Sequence, residues 1–307
     1  MRSRKLLPEQ LAALGVFSRA EALKAGLPPG ALRRRGIDRV GRAMYSDAGT
    51  TLTAVEVARA VAREFEGAWV SHTTAALVHD LWLPNSFSKD IPHVTCPCPG
   101  SRPRGAGVSG HRASAEDDEL VLINEVRTSS PARTWLELAG LFTLDDLIIL
   151  GDHLVRIPRP RFESRSTPHT TRQTLLDLLR RHPRMPGAAR AREALALIRV
   201  GADSPMETKL RLAIARAGLP EPELQIALDP KDPYTLHADL GYRAARIAIQ
   251  YDGGAHLTSE QQSRDNRRDT AFSLNGWRYI KVNKDDAAEG FRSVIRTLRG
   301  LLARSAA

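Results

Sequence analysis

At 307 residues the chain exceeds what one small core requires and fits two or three domains. A composition of 42% hydrophobic and 26% charged residues excludes a disordered chain, and no apolar run approaches the roughly 20 residues of a membrane-spanning helix. The net charge of +10 is uneven, since residues 1–50 hold ten Lys/Arg against four Asp/Glu, a local excess suited to a phosphate backbone.

The opening run MRSRKLLPEQ has basic residues without an apolar segment behind them, so no signal peptide is expected. Cys96 and Cys98 flank one proline and supply neither a disulfide framework nor a complete zinc site. A cytoplasmic protein with no membrane partner is the expectation. Leu7, Leu11 and Leu14 keep helical spacing up to Gly15, and Ser18 with Glu21 makes a capping box opening a second helix that Gly26 closes. After Pro28-Pro29-Gly30, the run ALRRRG predicts a third helix, and 37–40 and 43–46 predict two strands joined at Gly41-Arg42. That order predicts a winged helix-turn-helix over 1–50, with Arg33, Arg34 and Arg35 facing a DNA groove and Arg39 and Arg42 on the wing. A small helical cap with solvated arginines is the alternative.

Residues 51–202 read as an α/β middle region. Helices are expected around 55–65 and 72–81, extended segments around 93–95 and 120–123, and a helix start at Ser130-Pro131. A Pro-, Arg- and Ser-rich connection at 157–168 leads to helices around 171–181 and 188–199. His72, His79, His93 and His111 show no recognisable metal-ligand spacing, and a lone histidine on a helix is more often packed or exposed than catalytic.

Over 203–307 the pattern is sharper. Ser204-Pro205 opens a helix ending at Gly218, and strands follow at 224–228, 236–240 and 247–251. A helix from Ser259 stops at Gly276, a strand covers 277–282, and Phe291, Val294, Leu298 and Leu301 mark a last amphipathic helix. Asp239 stands in the second strand, where an unpaired buried carboxylate would be costly. Gln250 and Asp252 share one face of the third strand, and His256 comes after an Asp-Gly turn, placed to orient water or touch phosphate. Hard oxygens converging in this way suit Mg²⁺ or Mn²⁺ in phosphodiester hydrolysis, although Gln250 offers an oxygen without charge. Glu207 is equally a capping-box residue and a helix carboxylate near that cation, while Arg268 suits either a phosphate contact or an ion pair with Asp265.

The runs SPMETKLRLAIARAGLPEPELQ (204–225), HADLGY (237–242), IAIQYDGGAH (247–256), RDNRRD (264–269) and NGWRYIKV (275–282) resemble the very-short-patch-repair-like endonuclease domain family. SHTTAALVHDLWLP (71–84) and RTSSPARTWLEL (127–138) resemble the AbiEi-type antitoxin architecture that precedes such a domain behind a winged helix. The resemblance implies an α+β chain with a restriction-endonuclease-like αβββαβ core over 203–307. It places Asp239, Gln250 and Asp252 as the metal triad and Glu207 as the helix acid. The family motif carries Glu where Gln250 stands, and Asp252 occupies the place of a customary lysine. Two functions are implied: a metal-dependent endonuclease acting on double-stranded DNA, or a non-catalytic transcriptional regulator or antitoxin of a type IV toxin–antitoxin system. The second would take a toxin protein or its operator as partner.

Overall fold

The computed structural model describes residues 7–34, 36–41, 43–97, 103, 107–159, 163–232, 234–253 and 259–305, with the backbone alone over 259–265. The chain is α+β and folds as two compact units, residues 1–147 with 170–193 and residues 148–169 with 194–307. In chain order the elements begin α1 (Glu9–Leu14), β1 (Val16–Ser18), α2 (Arg19–Lys24), β2 (Ile37–Gly41), β3 (Met44–Asp47), α3 (Ala54–Glu64), β4 (Trp69–Val70) and α4 (His72–Val78). Next come β5 (His93–Pro97), β6 (Ser109–Ala113), β7 (Leu120–Ile123), β8 (Val126–Ser129), α5 (Pro131–Leu138), α6 (Leu144–Val155), α7 (Arg172–Arg181) and α8 (Ala188–Leu197). The chain closes with α9 (Pro205–Arg216), β9 (Glu223–Ala227), β10 (His237–Tyr242), β11 (Ile247–Tyr251), α10 (Ser259–Leu274), β12 (Arg278–Val282), α11 (Lys284–Ala288) and α12 (Arg292–Ser305).

Local capping chemistry sets many of these starts. Ser18 Oγ accepts from the Glu21 N–H at 3.0 Å while Glu21 Oε2 accepts from the Ser18 N–H at 2.7 Å, closing the capping box of α2. Ser130 caps α5 with Pro131 in the first turn. The basic run after Pro29 departs from expectation. It forms a 3₁₀ turn over Pro29–Arg33, and Arg34 is already extended at φ −85°, ψ 156°. Gly36 comes next but one at φ +109°, a backbone value that no helix continues through. Arg33, Arg34 and Arg39 are exposed, Arg39 donating from Nε to the Gly41 carbonyl at 3.0 Å, and Arg35 and Arg42 lie outside the described residues.

In the first unit β1, β3 and β2 form one antiparallel sheet, and β6-β5-β4-β8-β7 form a mixed second one. Val16 of β1 and Met44 of β3 pack into one core with Ala58, Val61, Val70, Val94 and Val126. Arg63 of α3 donates to the Val16 carbonyl at 2.9 Å and to Glu21 at 2.8 Å. Residues 1–50 therefore share an apolar interior with α3, β4, β5 and β8. Strands β1, β4, β6 and β8 go beyond the sequence expectation, and pairing with distant segments defines them.

The second unit is built on a sheet in the order β12-β11-β10-β9, antiparallel except for the parallel β11–β12 pair. Leu210, Ile214, Leu240, Ile247, Ile249, Val294 and Leu298 make its larger core, and Ile226, Ala238, Ala248 and Phe272 a smaller one. Among the described residues no helix is long and apolar enough to cross a membrane.

Candidate metal centre

The antiparallel ladder of β10 and β11 sets Leu240 opposite Ile249. Asp239 precedes the first and Gln250 follows the second, so the two meet at the next step. The Tyr251 N–H donates to Asp239 Oδ2 at 2.8 Å, and the Gln250 amide donates to the same carboxylate. Side-chain alternation breaks at this point. Ala238 packs with Ile226, Ala248 and Phe272, whereas Leu240, two residues on, packs with Leu210, Ile249 and Val282. A regular strand would keep both on one face. On β9 the pairs Ile226↔Ala238 and Leu224↔Leu240 bracket Gln225, whose φ is +50°. Asp239 thus sits at a twist in the sheet held by a strained partner, the kind of irregularity that re-aims a side chain.

Glu207 approaches the same place from α9. Ser204 Oγ accepts from the Glu207 N–H at 3.2 Å, but the carboxylate does not return to Ser204; its Oε2 accepts from the Asp203 N–H at 2.9 Å. Only half of a capping box forms, which frees the carboxylate to lie inward, 5% exposed. Gln225 Nε2 donates to Glu207 Oε2 at 3.4 Å, and Arg159 donates to Gln225 Oε1 at 2.6 Å. Asp203 pairs with Arg156 at 3.4 Å and with Arg159. Burial, reinforced by the charge of Asp239, pushes the Glu207 carboxyl far above the carboxylate range. Burial also raises Asp239, against the opposing pull of the Tyr251 N–H, the Gln250 amide and the Arg268 charge.

Arg268 of α10 hydrogen-bonds Tyr279 of β12. Lys281 stands opposite Gln250 across the parallel β11–β12 ladder, and its Nζ meets Asp269 at 2.9 Å. Asp252 lies past the end of β11, where its N–H donates to the Val282 carbonyl at 2.7 Å and its charge acts on Tyr251. The structure therefore brings Asp239, Gln250 and Glu207 together and sets Asp252 at the neighbouring strand end. His256 lies outside the described residues, as does the side chain of Asp265. Asp203, Gln225 and Lys281 carry no signal in the sequence, because only the register and the turn before α9 place them here.

The Gln250 Oε1 atom is buried and has no hydrogen-bond partner. An orphaned carbonyl oxygen on the amide that holds Asp239, with Glu207 and Asp239 each disfavoured as anions by burial, is a set of hard oxygen donors that a counter-charge would relieve, and it fits Mg²⁺ or Mn²⁺. A carboxyl whose folded pKa is raised keeps its proton where the unfolded chain has lost it, so its contribution falls as pH rises above the ordinary carboxylate range. Glu207→Gln should therefore stabilise the metal-free protein by about 1–3 kcal/mol in mildly alkaline buffer and by nothing in acid. Denaturant melts of both proteins across pH would measure this, and equal stability at alkaline pH would refute the buried-acid description. Neither a family model nor a curated protein matches this sequence.

Proposed function

We propose that the chain binds double-stranded DNA and hydrolyses its phosphodiester bonds with a divalent cation held by Asp239, Gln250 Oε1 and Glu207, with Asp252 beside them. The observation that carries the reading is the buried, partnerless Gln250 Oε1 next to two carboxylates of raised pKa. When bound, Mg²⁺ or Mn²⁺ supplies Lewis acidity and a more acidic water. The protein's share is to orient and to charge. Tyr251 N–H and the Gln250 amide fix the Asp239 rotamer, and Glu207 is held by the Asp203 N–H. Lys281 and Arg268, on the elements flanking Gln250, bring positive charge for the scissile phosphate.

The order α9-β9-β10-β11-α10-β12 supports a restriction-endonuclease-like core for this unit. Exposed Arg33, Arg34 and Arg39 beside the β2–β3 hairpin support a winged-helix DNA contact in the first. Asp239→Ala should reduce Mn²⁺-dependent nicking of supercoiled plasmid at least about 100-fold while leaving DNA retention in a gel shift unchanged. Wild-type protein that retains DNA and leaves it intact in both Mg²⁺ and Mn²⁺ would overturn catalysis. One observation favours a second reading in that event. The Gln250 amide already satisfies Asp239 without a cation, as a regulator or antitoxin that keeps the fold for DNA or toxin binding would require.

A further inference from the structure

Three imidazoles gather in the first unit from elements far apart in the chain. His72 opens α4, His93 opens β5 and His111 lies at the centre of β6. In the parallel β5–β6 ladder His93 pairs with Ser109 and Thr95 with His111, so His93 and His111 are two steps apart on one face. One ring nitrogen from each histidine lies within 4.8 Å of those of the other two. His93 Nδ1 is 2.9 Å from His111 Nε2, and Ser109 Oγ is 3.2 Å from that same nitrogen. The ring centroids of His72 and His111 are 3.8 Å apart, and those of His72 and His93 5.4 Å.

The surroundings are built around His72 rather than merely tolerant of it. Its φ is +52°, a left-handed backbone that costs a residue with a β-carbon about 1 kcal/mol or more. Its N–H donates to Glu137 Oε2 at 3.0 Å, and its Nδ1 lies 3.0 Å from Ser71 Oγ and 3.8 Å from the same carboxylate. Ser71 Oγ is itself held by Thr95 Oγ1 at 2.7 Å, and buried Glu137 by Trp69, Ser129 and Arg133. With Nδ1 engaged by a hydroxyl and a carboxylate, Nε2 is the nitrogen left to ligate, the outer-shell pattern that fixes a metal-binding imidazole. Burial lowers His72 to about 3, against the pull of Glu137, and lowers His93 to about 4 with help from His111.

We propose that His72, His93 and His111 form a site for one divalent transition-metal ion of the zinc class, with its remaining position open to water or an exogenous ligand. Three imidazoles without a carboxylate in the set select Zn²⁺ over Mg²⁺ or Ca²⁺. Zinc–nitrogen bonds of about 2.0–2.1 Å put tetrahedral ligand atoms about 3.3–3.5 Å apart, and the rings, now stacked at interplanar angles of 29°, 17° and 12°, would turn out of that stack to aim one nitrogen each at the ion. The ion would clamp α4 to β5 and β6. This inference stands apart from the nuclease reading.

The test uses the full chain stripped of metal and titrated with Zn²⁺ against a chromophoric chelator. One equivalent should bind with micromolar affinity or better in wild type and in Asp239→Ala, and affinity should fall at least about 10-fold in His111→Gln. Unchanged affinity in a folded His111→Gln variant, or loss of binding in Asp239→Ala alone, overturns the site. Should His111→Gln fail to fold, Co²⁺ added to wild type decides. An intense visible spectrum of four-coordinate cobalt supports the site, and a faint six-coordinate spectrum overturns it.

Discussion

Gln250→Glu is expected to tighten Mg²⁺ binding about 10- to 100-fold and to destabilise the metal-free protein by about 1–3 kcal/mol. At present the Gln250 amide donates to Asp239, and its Oε1 has no partner. A carboxylate in its place removes that donor and sets a third acid beside Asp239 and Glu207, both already raised by burial. Without a cation the like charges repel. With one, each added charge strengthens the site. Thermal melts with and without millimolar Mg²⁺ would read both effects, the variant melting below wild type in chelator and gaining more from the ion. An Mg²⁺-induced shift no larger than that of wild type would remove the metal assignment. A larger shift with no gain in plasmid nicking would retain the metal and favour the regulator.

Arg133→Ala should be the most damaging single change in the first unit, lowering stability by about 3–5 kcal/mol. Arg133 is fully buried, with Nη1 2.5 Å from Glu119 Oε2 and Nε 3.1 Å from Glu137 Oε1. His182 Nε2 also reaches Glu119 at 2.7 Å, and Glu137 holds Trp69, Ser129 and the N–H of His72. Among the described residues, removing the guanidinium takes the only arginine from buried Glu137 and one of two from buried Glu119, which keeps Arg181 at 3.3 Å, a far larger effect than loss of an exposed ion pair such as Arg180–Asp177. Denaturant unfolding of Arg133→Ala against Arg180→Ala gives the comparison. A difference below about 1 kcal/mol would show that the network contributes little to the fold.

Much of the secondary structure was legible because its signals are short-range. Ser18 with Glu21 and Ser130 with Pro131 each act within one helical turn, and the apolar run of β11 followed by an Asp-Gly step needs no distant partner. The basic run at 33–35 departs from expectation for a local reason as well: its charge suggests a helix face, but the chain is already extended at Arg34 and takes a positive φ at Gly36, so only a 3₁₀ turn forms. Asp239 and Gln250 were legible as a pair because a tight turn makes their strands adjacent. Glu207 was half legible. Its sequence position fits a capping box, and only the fold turns its carboxylate toward Asp203 and inward.

By itself the sequence determined where charge and apolar periodicity lie, hence an α+β chain with a cationic start and an acid–amide pair on neighbouring strands near its end. Those properties belong to single segments, and segments of about ten residues carry them. Tertiary structure alone decided that Glu207 and Asp203 come near Asp239, that Lys281 stands opposite Gln250, and that His72, His93 and His111 meet. The reason is geometric: each of these groupings depends on strand register or helix docking between segments tens of residues apart. A shift of one residue in pairing would turn every such side chain to the other face.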